Sequence, residues 1–403
     1  MPNIISLPQV TSEGNGLLEL PLPGGWQVEI CNMVGNDRPA MTDEQIRSAV
    51  ANPAGIEPVR KLAKGKKSAV IIFDDITRIT KVSRIVPFVL EELAEAGIAD
   101  ENISFIAALG THGIMNRADF ARKLGDSILA RFPVFNHNPF FNCTYVGTTS
   151  NGTEVAINAE VMNCDVKIAI GSITPHRGIM FGGGAKIILP GVSSLETILH
   201  NHQLPHGEPN LYETNTMHLD MIEAAELAGL DIKIDCIVNG MGETAAIYAG
   251  TLAAANEAGV SDAKAHYLTP KAEEKDIVIA NTFIKVSESA SGLAVAYPSL
   301  KQTGGDVVLI SNAPDGQTVH YLMGPWGRNV RGKIPVQFPV PPHVKRLINY
   351  TEYPDTIGLM WLEDTDRVCQ MNDWEKVLRT LEADYGDKAT VAVYPNSDIQ
   401  YFD

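Results

Sequence analysis

Two histidines, an arginine, an aspartate and a lysine carry the side chains in this sequence best suited to chemistry. His112 closes ALGTH, His176 closes ITPH, Asp75 and Arg78 belong to DDITR, and Lys186 follows three glycines in MFGGGAKIILPG. An imidazole, with an ordinary pKa near ~6.5, gives and takes protons near neutrality. A guanidinium presents a planar fork that fits a carboxylate. Two bases and one carboxylate clamp suit proton transfer on both faces of a 2-substituted acid. Lys186 lies between a glycine turn and the apolar run 187–189, where a desolvated amine can act as nucleophile or covalent tether. The blander alternative is a lysine whose stem lies along apolar surface and whose amine reaches water.

These groups can cooperate only if the chain brings them to one edge. Residues 68–73 (SAVIIF), 103–109 (ISFIAAL) and 166–171 (VKIAIG) read as buried strands. Amphipathic stretches separate them, including a helix over 83–93 with Ser83 as N-cap and Pro87 near its first turn. Alternation of this kind implies parallel pairing and an α/β fold. In open parallel sheets, ligands sit beyond the carboxyl ends of the strands. The three runs deliver Asp74, Asp75, Thr77 and Arg78; Gly110, Thr111 and His112; and Thr174, Pro175 and His176 to that edge. Each cluster alone has a structural explanation in capping and turns. Together they point to a site.

The glycine run fits neither common nucleotide motif. Lys186 follows Ala and precedes Ile, unlike a Walker A lysine, and no GxGxxG opens a helix. After it, Ser193 and Glu196 match a capping box. Helical spacing then puts Leu195, Ile198, Leu199 and His202 on one face and turns His200 away. An inward histidine is more often a hydrogen-bonded core residue than a ligand. If one of the pair binds metal, the periodicity favours His202.

At 403 residues, the length suggests two or three domains. A boundary is expected near 270, at the charged PKAEEKD, giving a catalytic and cofactor-binding domain over 1–270. A smaller α/β domain over 271–403 would contribute to the substrate pocket, with strands at 277–280, 307–310 and 390–394. The expected architecture is thus two α/β domains with mainly parallel sheets and the active site between them. With 48 acidic and 32 basic residues, the net charge is −16, which argues against nucleic acid or an anionic membrane as partner. A small anionic substrate remains compatible, because a few buried cations reverse the local field. The five scattered cysteines form no CxxC pair, as expected of reduced thiols in a cytoplasmic protein. The first residues, MPNIISLPQV, lack the basic start and apolar run expected of a signal peptide, and the apolar stretches fall short of the ~20 residues needed to cross a bilayer.

With these segments in place the sequence resembles the lactate racemase family, whose members use a nickel-pincer nucleotide. The matching pieces are DDITR at 74–78, ALGTH at 108–112, VGTTSNGTEVAIN at 146–158, and IGSITPH, FGGGAKIILPG and ETILHNH within 170–202. The resemblance implies a cofactor made of a pyridinium-3-thioamide-5-thiocarboxylic acid mononucleotide with nickel, joined covalently to Lys186. It implies His202 as the protein ligand to the metal, and His112 and His176 as general bases, one for each stereoisomer. Arg78 would hold the substrate carboxylate, and Asp75 and Thr77 would help position the cofactor site. The implied reaction inverts C2 of a 2-hydroxy acid by reversible hydride transfer through a 2-keto acid. Cofactor-making enzymes, and a second copy of the chain, are the implied protein partners.

Departures from the family pattern bear on substrate. Lactate-specific members carry Tyr-Gln-x-x-Lys in the second domain, where this chain aligns Glu288 and Ser291 with the Gln and the Lys. Loss of that lysine speaks against lactate. A carboxylate at Glu288 would accept hydrogen bonds from hydroxyls and repel a second acid group, favouring an aldonate such as gluconate. Gly113 and Arg177 stand where the family often has Arg and Pro, and Arg177 is the alternative partner for a distal carboxylate, as in malate. Trp326 and Trp361 are candidate pocket walls. Rival readings are an NAD-dependent hydroxyacid dehydrogenase, which leaves Lys186 unexplained, and a non-catalytic protein that captures nickel or the nucleotide. Metal-dependent hydrolysis is disfavoured, since no acidic cluster typical of paired metals is visible.

Overall fold

The computed structural model describes residues 2–11, 14–205, 212–322, 338–363 and 365–403. The chain forms two compact units, Arg38–Lys264 in one and Met1–Asp37 with Ala265–Asp403 in the other. The second break falls close to the expected 270. The first was not expected: residues 27–30 form a strand that pairs with 390–393 of the C-terminal sheet, which takes the N-terminal segment out of the block 1–270.

The unit Arg38–Lys264 is built on a six-stranded sheet. Its spatial order is Thr244–Gly250, Ile232–Val238, Val166–Ser172, Ala69–Asp74, Ile103–Ala108, Val134–Asn136. All neighbours are parallel except the first pair. The three strands expected from sequence occur within one residue of their ends. Ala69–Asp74 and Val166–Ser172 are buried at every position, as two covered faces demand of a parallel sheet. Ile71, Phe73, Phe105, Ile168, Ile170 and Ile234 share one core with the helix Val82–Ala96.

That helix shows burial overruling local preference. It begins at Val82 with Lys81 as N-cap, rather than at the expected Ser83 cap, because Val82 is drawn fully into the core. Pro87 lies inside the helix and forfeits a backbone bond, a cost of about 3 kcal/mol. Complete burial of Val82, Ile85, Val86, Val89 and Leu93, at about 1.5–3 kcal/mol each, outweighs it.

From Ala69–Asp74 the chain steps outward through Ile103–Ala108 to Val134–Asn136, then returns to place Val166–Ser172 on the opposite side. The strand order therefore reverses between Ala69–Asp74 and Val166–Ser172, where open α/β sheets leave a ligand crevice beyond the carboxyl ends.

The other unit holds a six-stranded, wholly parallel sheet, ordered Val368–Met371, Val344–Tyr350, Gly305–Ile310, Ile277–Asn281, Thr390–Tyr394, Gln27–Ile30. The hairpin Asn3–Thr11/Gly14–Leu22 and the helix Trp374–Tyr385 cover one face, through Ile5, Leu7, Leu20, Val377 and Leu381. The short helix Leu293–Ala296 covers the other. No helix among the described residues is long and apolar enough to cross a membrane.

Candidate active site

Asp75 organises the loop after Ala69–Asp74. Its Oδ2 lies 2.7 Å from His112 Nδ1, and its Oδ1 accepts from the Thr77 amide at 2.8 Å and from the Thr77 hydroxyl. The Thr77 hydroxyl in turn lies 2.8 Å from the Arg78 guanidinium. Burial pushes the Asp75 carboxyl up, but His112, Arg78 and Thr77 together outweigh it and hold the group well below the usual carboxylate range. A carboxylate can only accept, so His112 Nδ1 carries a proton, and in the neutral ring Nε2 holds the lone pair. That is the form a general base requires.

Beneath this loop, Asp74 meets Lys123 Nζ at 2.6 Å and also binds the Thr80 hydroxyl. Lys123 donates to the Arg78 carbonyl as well, at 2.7 Å. The lysine side chain is 3% exposed, so it acts as an internal clamp that fixes the backbone under Arg78.

The loop after Val166–Ser172 presents His176 to Lys186, with Nε2 and Nζ 2.9 Å apart. The Gly178 amide donates to His176 Nδ1 at 3.1 Å, which leaves the proton of the neutral ring on Nε2. An ammonium at Lys186 would face that proton donor to donor. The pair is satisfied when the amine is neutral, the form that bonds covalently. Lys186 itself sits in a 3-10 turn, Gly184–Ile187. Gly183 and Gly184 have φ of 87° and 54°, and a Cβ on them would come within 2.8 Å of Ser172 O and 2.7 Å of Asn256 Oδ1. Both positions demand glycine. The Gly184 amide donates to Asp235 Oδ2 at 2.9 Å, and Asp235 is paired with the fully buried Lys233 at 2.7 Å.

His202 ends the helix Leu195–His202, with Nδ1 3.0 Å from the Ile198 carbonyl. A carbonyl accepts, so this bond fixes the proton on Nδ1 and the lone pair on Nε2, the tautomer suited to metal. The N-cap is Ser194, which accepts from the Thr197 amide, and not the expected Ser193, whose hydroxyl bonds Ile188 O instead. The buried face is Leu195, Thr197, Ile198 and Asn201. His200 is turned outward as expected, against Thr153 at 2.8 Å. The VGTTSNGTEVAIN segment works as an anchor for this helix: Thr149, Thr153 and Asn201 all bond the buried Asp220.

The structure therefore brings Asp75, Thr77, Arg78 and His112 into one network and His176 and Lys186 into a second. Their loops leave strands on either side of Ala69–Asp74, about 10 Å apart at the usual interstrand spacing. The Gly110 amide joins the two through Gly191 O at 2.8 Å. Arg177 is exposed beside His176. Glu288 and Ser291 belong to the other unit, on the 3-10 segment Val286–Gly292 that follows its strand Ile277–Asn281. That loop is held by Asp398, which accepts from the Phe283 amide at 3.2 Å and from the Lys285 amide. Trp361 packs on the core of that unit, and Trp326 lies outside the described residues. Sequence reasoning missed Lys123, Asp235 and His218, because nothing in their local pattern separates them from surface or core residues.

A family model described as the lactate racemase N-terminal domain matches residues 14–213. A curated lactate racemase from Thermoanaerobacterium thermosaccharolyticum is 28% identical over 295 residues, 70% of this chain and 68% of that protein. Another, from Lactiplantibacillus plantarum, is 27% identical over 285 residues, 68% of this chain and 66% of that protein. Among solved structures, the lactate racemase apoprotein from T. thermosaccharolyticum superposes with a TM-score of 0.73 at 22% identity, covering 100% of both chains. A Thermotoga maritima protein gives 0.67 at 18% identity, covering 90% of this chain and 99% of that one. At those identities the two structures show a common fold. With the matched domain and both curated relatives in agreement, the chain belongs to the lactate racemase family of isomerases.

Proposed function

We propose that the protein is a nickel-pincer-nucleotide-dependent racemase or epimerase that inverts C2 of a 2-hydroxy acid, and that its substrate is a sugar acid. The observation that carries this reading is the pair of fixed imidazoles, His112 on Asp75 and His176 on Lys186, on loops flanking one strand. Inversion needs a proton-transfer group on each face of the carbon. As hydrogen-bonded, His112 holds a lone pair on Nε2 and His176 a proton on Nε2, so one can accept a proton and the other can return it.

The residues present fit the cofactor. Lys186 offers an amine beside an imidazole, on a glycine turn with no room for a Cβ at two positions. His202 holds a lone pair on Nε2. Among the described residues no three His, Cys, Asp or Glu side chains converge on a protein-only metal site, so a bound nickel would take its remaining donors from the cofactor. When bound, the group supplies a reversible hydride acceptor.

The chain's own residues do the rest. Arg78 binds the substrate carboxylate and fixes C2 between the bases. His112 Nε2 accepts the hydroxyl proton from one stereoisomer, with Asp75 stabilising the imidazolium that forms. His176, whose Nε2 carries the proton while the Gly178 amide holds Nδ1, returns the proton on the opposite face, and takes the base role for the other stereoisomer by changing tautomer once Lys186 is acylated. Thr77 and Asp75 hold the loop against the cofactor. Glu288 and Ser291 select the distal end of the substrate, where a carboxylate and a short hydroxyl suit a polyhydroxy chain better than a methyl group or a second acid. Arg177 is the contact a dicarboxylate such as malate would use. A cytoplasmic setting is part of the same proposal and rests on five scattered cysteines with no CxxC pair.

The test is a substrate panel from lactate through malate to gluconate, run in D2O on protein co-expressed with cofactor-making enzymes. The expected result is extra mass on Lys186, turnover greatest on aldonates, and no deuterium at C2, because a hydride held in the site does not mix with solvent. Substantial C2 deuterium, or oxidation dependent on added NAD, overturns the mechanism; turnover confined to lactate overturns the substrate.

A further inference from the structure

The helix Thr216–Leu227 carries His218 near its start, 3% exposed. The ring stacks on Tyr212, with centroids 4.1 Å apart and planes 36° from parallel. Tyr212 is bonded through its hydroxyl to Asn256, the residue packed against Gly184 in the turn that carries Lys186. From the N-cap of the helix, Asn215 donates to the Gly178 carbonyl at 3.0 Å, tying this helix to the His176 loop. His218 is thus built into the Lys186 surroundings from two directions.

Its Nδ1 is buried and has no hydrogen-bond partner among the described residues. A buried ring nitrogen left unpaired carries a desolvation cost that a phenylalanine at the same place would avoid. Burial, aided by Lys186 whenever its amine is charged, lowers the histidine's pKa to about 4. Glu213 acts in the opposite sense without restoring it. The imidazole is therefore neutral at physiological pH, an acceptor at one nitrogen and a donor at the other.

We infer that His218 is a binding residue for the adduct on Lys186, its Nδ1 accepting the hydrogen bond of the single N–H that an acylated or thioacylated Nζ retains. The inference rests on the reading that Lys186 carries the cofactor. Nδ1 is enclosed by protein, and the turn Gly184–Ile187 that carries Lys186 packs against the helix Thr216–Leu227, so a group added to Lys186 is the partner the fold brings toward it. The bond would fix the plane of the new amide-type group, with Tyr212 and the imidazole face forming its wall.

The test compares wild type with H218F, which keeps the ring against Tyr212 and removes the nitrogens, and H218N, whose amide reaches the Nδ1 position. Each protein is co-expressed with cofactor-making enzymes and examined by intact mass, by visible spectrum and, without those enzymes, by thermal unfolding. For H218F we expect adduct occupancy on Lys186 to fall about five- to tenfold. The visible band of the residual adduct shifts, and the adduct-free protein melts no lower than wild type, because an unpaired buried nitrogen is gone. H218N restores occupancy to within about twofold of wild type. Wild-type occupancy and spectrum in H218F overturn the assignment, as does a lower melting temperature in H218F with loading unchanged. If H218F does not fold, H218L carries the same arms. An adduct missing from wild type fells the parent reading and this inference together, whereas loss of the inference alone shows only in the variants.

Discussion

Replacing Asp75 by Asn isolates what the carboxylate does for His112. Asp75 Oδ1 takes two donors from Thr77 while Oδ2 takes one from His112 Nδ1. An asparagine has one acceptor oxygen, and the two Thr77 donors claim it, so the amide NH2 turns toward His112. Two N–H groups cannot face each other, and the imidazole responds by moving its proton to Nε2. The atom that should accept the substrate's proton is then occupied. Loss of a charge-assisted hydrogen bond of about 2–3 kcal/mol slows the reaction about 30- to 150-fold. Inversion of the tautomer takes the total to the order of 10³–10⁴, the scale seen when an orienting aspartate is neutralised behind a catalytic histidine. The assay is kcat/KM on the cofactor-loaded variant in both directions. The loss must be the same factor each way, since the equilibrium constant between stereoisomers is fixed. Adduct mass on Lys186 and the melting temperature serve as controls for loading and folding. A loss under about threefold in a fully loaded, folded variant would refute the orienting role.

Two other outcomes follow from the same geometry. In H202A, bound nickel measured by metal analysis should drop to near zero while the mass on Lys186 persists; retention of a full equivalent of nickel would remove His202 as ligand. Acid should destabilise the fold through His137 and His218, whose pKa values burial lowers to about 4. Between that value and about 6.5 the unfolded chain binds the extra protons, so the stabilisation is complete above pH ~6.5 and is lost as pH falls toward 4. Each contributes at most about 3 kcal/mol. Denaturant unfolding of H137Q at about pH 7 and about pH 4.5 should show a smaller loss than wild type, and an identical loss would contradict the assignment.

The strands that carry the site were legible because burial on both faces of a parallel sheet leaves an uninterrupted apolar run, as at Ala69–Asp74 and Val166–Ser172. The helix starts were less so. Ser83 and Ser193 each had the right residue type for a cap, yet Val82 was pulled into the core and Ser193 was claimed by Ile188 O. A cap is worth about 1 kcal/mol, less than one buried aliphatic side chain, so tertiary packing decides between neighbouring candidates. The N-terminal strand Gln27–Ile30 escaped notice because its exposure pattern, mostly outward, gives no period to read.

By itself the sequence determined which groups stand at the ends of the apolar runs: Asp75, Arg78, His112, His176 and Lys186 are adjacent in the chain to the strands and turn that fix them. Only the tertiary structure decided their protonation and partners. Whether an imidazole keeps its lone pair on one nitrogen or the other depends on what faces it, Asp75 for His112, the Gly178 amide for His176 and the Ile198 carbonyl for His202. The same holds for Lys123 beneath Asp74 and for His218 beside Lys186. The pairings of His112 with Asp75 and of Lys123 with Asp74 join residues tens of positions apart, and local pattern carries no record of them. Those of His176 and His202 lie two and four residues away, and the folded loop and helix set them.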